Sequence, residues 1–130
     1  MSNIKADNFT WKTGEATGQS GTTVTGPQIV YGVAKSWCNF NGTGTVAIRA
    51  SANVTSITDN GTGNYTVNIT TAMPDANYST VWIGGGQGAS GSSYSVAAGS
   101  QTTSAVTIQA RAVSGGAVVD ENPCNVAIFR

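Results

Sequence analysis

Apolar and polar residues alternate in short runs along this chain, and the runs are separated by Gly, Asn and Pro. In TVAIRASANV (residues 45–54), Val46, Ile48 and Ala50 fall on one face and Ala47, Arg49 and Ser51 on the other. In NYTVNIT (64–70), Tyr65, Val67 and Ile69 oppose Thr66, Asn68 and Thr70. AVTIQARAV (105–113) sets Val106, Ile108, Ala110 and Ala112 against Thr107, Gln109 and Arg111, and NVAIFR (125–130) sets Val126 and Ile128 against Ala127 and Phe129. A period of two is the mark of a strand with one face buried, because successive side chains leave a strand on opposite sides. QIVYGVAKSWCNF (28–40) and STVWIGGG (79–86) add runs rich in β-branched and aromatic residues, which also predict strands. No stretch carries the helical period.

The punctuation predicts how the strands are joined. NGTG occurs at 41–44 and again at 60–63, each time ahead of an alternating run. Asn-Gly accepts the positive φ of tight hairpin turns, so both copies predict hairpins. Two copies fit one hairpin motif used twice rather than a solenoid. AMPDANY (72–78) is a further turn, GGGQGASGSS (84–93) a long flexible loop, and SGG (114–116) a turn before the last strand. Strands at this spacing predict an all-β fold, an antiparallel sandwich or barrel with strand order open, and an antiparallel β-sandwich of the jelly-roll or immunoglobulin-like kind is the form expected. Residues 1–27 stand apart. GEATGQSGTTVTGP is almost free of apolar side chains and cannot offset its own ordering entropy, so an extended N-terminal attachment arm (1–27) ahead of a β domain (28–130) is expected. Ile4, Phe9 and Trp11 are the large apolar residues of that arm. They either pack back on the domain or anchor the arm on another subunit or partner, and they are the particle-attachment candidates.

Composition narrows the function. Only 9% of the 130 residues are charged, six of each sign, for a net charge of zero. Phosphate recognition needs clustered positive charge, so nucleic acid is not an expected partner. No run approaches the ~20 apolar residues of a membrane span, so no membrane insertion is expected. The opening MSNIKADNFTWKTGEATG lacks the apolar core of a secretory signal, and the chain is expected to remain where it is made. A weakly charged, neutral chain is expected to self-associate.

Catalytic chemistry is sparse. There is no His, the commonest general base and metal ligand, and two Cys fall short of a zinc site. Asp59 and Asp75 lie in turns, where carboxylates bond the backbone. Asp120 and Glu121 are neighbours, and on a strand they would point apart. IGGGQG, with Gly84, Gly86 and Gly88, lacks the GK[ST] of a phosphate loop. Seven N-x-[ST] triplets reflect an Asn- and Thr-rich composition. No enzyme activity, cofactor or metal is expected. Cys38 and Cys124 lie in or beside the first and last predicted strands, where two buried free thiols are favoured over a disulfide. Tyr78, Trp82 and Tyr94 flank the glycine-rich loop and are candidates for glycan contact by stacking, although core packing is the more ordinary role of strand aromatics. Trp37 belongs to the same class, with the core favoured.

AKSWCNFNGTGTVAIRASANVTSITDNGTGNYTVNITTAMPDANY (34–78) resembles a β-rich module of virion surface and tail-fibre proteins of tailed bacteriophages, notably phages of cyanobacteria and aquatic bacteria. The final NVAIFR and the opening MSNIKADNFTWKTG fit the same module. The resemblance covers most of residues 30–130 and is weakest over 84–95. It implies no catalytic residues. It implies a structural or adhesive virion protein, made in the host cytoplasm and placed on the virion surface, and a homotrimer. Two roles follow: a capsid decoration or cement protein bound to the major capsid protein or another virion protein outside the head, or a tail-fibre tip that recognises host surface glycans. A chain too short to supply shaft, dock and tip favours decoration.

Overall fold

The structure is a computed structural model that describes residues 8–10, 23–25, 31–85, 93–112 and 116–130. It divides into two compact units, residues 1–33 and 34–130. In the first, β1 (Asn8–Thr10) pairs antiparallel with β2 (Thr23–Thr25), Phe9 opposite Val24.

The second unit is a sandwich of two four-stranded antiparallel sheets. Its strands are β3 (Ser36–Asn41), β4 (Ala47–Ala52), β5 (Val54–Asp59), β6 (Asn64–Ile69), β7 (Ser79–Gly84), β8 (Ser93–Gln101), β9 (Ala105–Ala112) and β10 (Cys124–Phe129). The first sheet has the order β4-β3-β10-β7 and the second β5-β6-β9-β8. Both NGTG segments form hairpin connections, β3 to β4 and β5 to β6, with Gly44, Gly61 and Gly63 at positive φ. The hairpins therefore lie one in each sheet, and the chain crosses between sheets after β4, β6, β7 and β9.

The predicted alternation holds in β6, β9 and β10. Tyr65, Val67, Ile69, Val106, Ile108, Ala110, Ala112, Val126 and Ile128 are all buried between the sheets, with Cys38, Phe40 and Cys124. The Phe40 and Tyr65 rings meet edge to face at 5.2 Å across the core.

Three expectations change. In β4 a bulge opposite Asn39 and Phe40 breaks the period: Ile48 pairs with the inward Phe40, while Ala50 pairs with the outward Asn39. Ile48 and Ala50 thus face opposite ways, because one extra residue, Arg49, stands between them. The strand expected over 28–40 begins only at Ser36. The stretch between the loop expected over 84–93 and the strand expected from Ala105, for which no element is expected, carries β8, a nine-residue strand paired with β9; residues 86–92 of that loop lie outside the described residues.

Candidate functional surfaces

The expected site residues separate. Ile4 and Trp11 lie outside the described residues. Phe9 is placed in β1, but its side chain lies outside the described residues, and the same holds for Tyr94 in β8, opposite Arg111. Tyr78 and Trp82 take the core role. Their exposures are 7% and 8%, and neither ring presents a face for a sugar. The Tyr78 hydroxyl donates toward the Thr102 and Ala105 carbonyls at 2.8 and 3.0 Å, and burial raises its pKa. The Trp82 indole N–H is buried without a hydrogen-bond partner, as is the neighbouring Thr80 hydroxyl.

Trp37 goes the other way. The core was favoured for it, yet it is 41% exposed on the outer face of the first sheet. The reason is the pleat: Ser36, Cys38 and Phe40 all face inward, so Trp37 must face out.

The densest polar cluster caps one end of the sandwich. Both NGTG loops converge on the segment Val119–Glu121. The Gly42 N–H donates to the Glu121 carbonyl at 3.0 Å, and the Gly63 N–H donates to the Asp120 carboxylate at 2.7 Å. The Tyr65 hydroxyl reaches the Gly42 carbonyl at 2.7 Å and Asp120 at 3.0 Å, tying the two hairpins to one carboxylate. Burial and Asp120 together push the Tyr65 pKa up. Gly63 combines φ +59° with an approach in which a Cβ would stand 2.3 Å from the Val119 carbonyl oxygen. The glycine run has a similar use: a Cβ on Gly85 would lie 2.3 Å from Cδ of Pro123. Gly85 thus lets the end of β7 press on the Asn122-Pro123 corner. Glu121 is fully buried here beside Gly84.

This cluster is built as a clasp. Its hydroxyl, carboxylate and amide groups bond one another and the backbone, with Tyr65 buried and Asp120 partly so. Cys38 and Cys124 are free, buried and on the same inward face, Cys124 opposite Phe40 and Cys38 opposite Val126. Burial pushes both thiols up to about 12; for Cys124 the nearby acidic groups add to the rise, and Arg49 opposes it. At neutral pH they are protonated and unsuited to nucleophilic or ligand chemistry. Among the described residues no group of three or more His, Cys, Asp or Glu side chains converges on a metal position, and no helix is long and apolar enough to cross a membrane.

The two outer faces of the sandwich differ in kind. On the second sheet the outward positions of β6 and β9 are Asn64, Thr66, Asn68, Ala105, Thr107, Gln109 and Arg111, all but Ala105 polar. Their side chains bond one another and the neighbouring β5: Asn68 to Ser56 and Thr58, Thr66 with Thr107, Arg111 to Gln109. The first sheet presents two ordered rows. One runs Ala52–Trp37–Ala127–Val81 and the other Ala50–Asn39–Asn125–Ile83, with Phe129 opposite Ser79 beyond them. Val81 is 60% and Ile83 62% exposed. The amide of Asn39 donates to that of Asn125 at 2.6 Å, so the polar pair within the rows is internally bonded. No charged residue stands in either row. Arg49, at the bulge, turns to Asn122 at 2.7 Å.

No protein-family model, curated protein or solved structure matches this chain.

Proposed function

We propose that this chain is a bacteriophage virion structural protein, a capsid decoration or cement protein that binds the outside of the head. The contrast between its outer faces carries this reading: one is polar and hydrogen-bonded across β5, β6 and β9, while the rows of the other are uncharged and apolar apart from the Asn39–Asn125 pair. Such a body suits a part that is covered on one side and bathed on the other. The likeness of residues 34–78 to phage surface modules supports it, as does an N-terminal unit separate from the sandwich. The body offers a surface, and its buried polar groups are spent on holding that surface in place. The oligomer that goes with this reading is a homotrimer, and the partner is the major capsid protein or another virion protein.

The second reading, a tail-fibre tip that recognises host glycans, draws on Trp37. It is an exposed ring beside the Asn39 and Asn125 amides, and stacking next to amides is a common way to hold a sugar. Co-sedimentation separates the two. Saturable binding to undecorated phage heads, with none to host cells, is the expected result. Binding to cells alone would move the protein to the tail, and a Trp37→Ala change would then be the first to examine.

A further inference from the structure

The apolar rows of the first sheet are ordered in a way that chance does not require. Across the strands they read small, large, small, large: Ala52, Trp37, Ala127, Val81. The second row begins with Ala50, ends with Ile83 and holds two amides between them. Consider a two-fold axis parallel to the strands, running above the line between β3 and β10. It lays β3 of one copy over β10 of the other and β4 over β7. Each row then meets itself reversed. Trp37 comes over Ala127 of the other copy, Val81 over Ala52, Ile83 over Ala50, and Asn39 over Asn125. Every large side chain faces an alanine, and the amide pair faces an amide pair.

We propose that this face is self-complementary and binds a second copy of the same chain. Two-fold contacts are built from one patch used twice, which is the property these rows have. Packed sheets stand ~10 Å apart and cross at about −30°, so the match is best in the two central strands and drifts at the corners. Charge does not oppose the pairing, because neither row carries any. The four amides give the pair one register, since a slip of one position would leave them against alkyl groups without acceptors.

Area sets the strength. Four strands ~4.8 Å apart and three outward positions per strand cover on the order of 300–400 Å² per copy, against ~800 Å² per partner in a standard stable interface. The pair is therefore weak, with a dissociation constant of about 10⁻⁴ M, and is strengthened wherever copies are held close together. A second copy would compete with a virion partner for this one face, and the pair differs in stoichiometry from a trimer.

Sedimentation of the full chain across a concentration series tests it. The weight-average mass should rise from one chain toward two as the concentration passes ~0.1 mM. Val81→Lys, on an edge strand where the side chain is already exposed, should weaken association at least about tenfold, because the ammonium would be desolvated against Ala52 of the other copy. Ala127→Arg should do the same from the centre of the face. Thr58→Lys, on β5 of the second sheet, should leave association unchanged. Circular dichroism and melting confirm that each variant is folded; if Ala127→Arg is not, Val81→Lys carries the test. A wild-type mass that stays at one chain, a plateau at three chains, or association undiminished by folded Val81→Lys would each overturn the proposal.

Discussion

Cys38 and Cys124 illustrate how one residue's surroundings set its chemistry. Free thiols with ordinary pKa values exchange and alkylate readily, but these two are buried, and burial holds the proton on sulfur. Disulfide reagents at pH 8 should therefore find no reactive thiol in the native chain and two in denaturant, counted by absorbance. The same shift links stability to pH. The folded chain holds each thiol proton up to about 12, above the ordinary 9.0. The stabilisation is complete below pH 9 and is lost as pH rises toward 12. Urea midpoints should thus fall along the alkaline limb, and the Cys38→Ala/Cys124→Ala variant should show a shallower fall. Tyr65 and Tyr78 are shifted in the same direction and add to the fall. The inward placing of both cysteines was legible from position alone. Cys38 is two residues from Phe40, and Cys124 two from Val126. The same spacing places Trp37 outward, and a general preference for aromatic cores obscured it.

At the scale of the element, the decisive joint is Asn53. It links β4 to β5, and so one sheet to the other, at φ +57°. Its amide donates to the Lys35 and Thr71 carbonyls, its side-chain oxygen accepts from the Thr71 N–H, and its own carbonyl accepts from Ser36 and the Thr70 N–H. Asparagine tolerates left-handed backbone better than other non-glycine residues, and here its side chain also binds the backbone just before β3, at Lys35, and just after β6, at Thr71. Asn53→Gly keeps the backbone and loses three side-chain bonds, for an expected loss of about 1–3 kcal/mol. Asn53→Ala loses the bonds and adds backbone strain, so it should cost about 1 kcal/mol more. Chemical denaturation of the two variants checks the order; a more stable Ala variant would refute the account. Strands with strict alternation were legible because their buried faces are continuous. β4 was misread because a bulge leaves no mark on a period-two pattern until its partner strand is known. β8 was missed because SYSVAAGSQ has the composition of a linker, and its pairing with β9 is itself irregular between Ala97 and Gln101. Tertiary pairing, not local propensity, makes it a strand.

At the scale of the whole molecule, the chain divides after Val33 rather than after residue 27. If the N-terminal segment is the attachment element, removing residues 1–27 should leave a β domain that melts cooperatively near the parent temperature and no longer co-sediments with heads. Retained binding would move attachment to the sandwich itself. The candidate site was the least legible part of the sequence for a related reason. A docking face belongs to no single segment: its rows draw one residue from each of β4, β3, β10 and β7. Their order is a product of topology, which alternation along one strand cannot reveal.

That topology also bears on how the protein is made. β10, the last strand of the sandwich in sequence order, occupies an interior position in its sheet, flanked by β3 and β7. Until it is made, β7 has no hydrogen-bonded partner among the described strands and the β3–β4 hairpin is an isolated ribbon, so the first sheet waits for a strand far along the sequence. Such contacts, nearly the length of the domain apart in sequence, slow folding. A translation product that stops short of Cys124 would carry every hairpin signal described above and still lack the strand that joins them. Quality control in the producing cell would then meet an unfinished sheet with open edges.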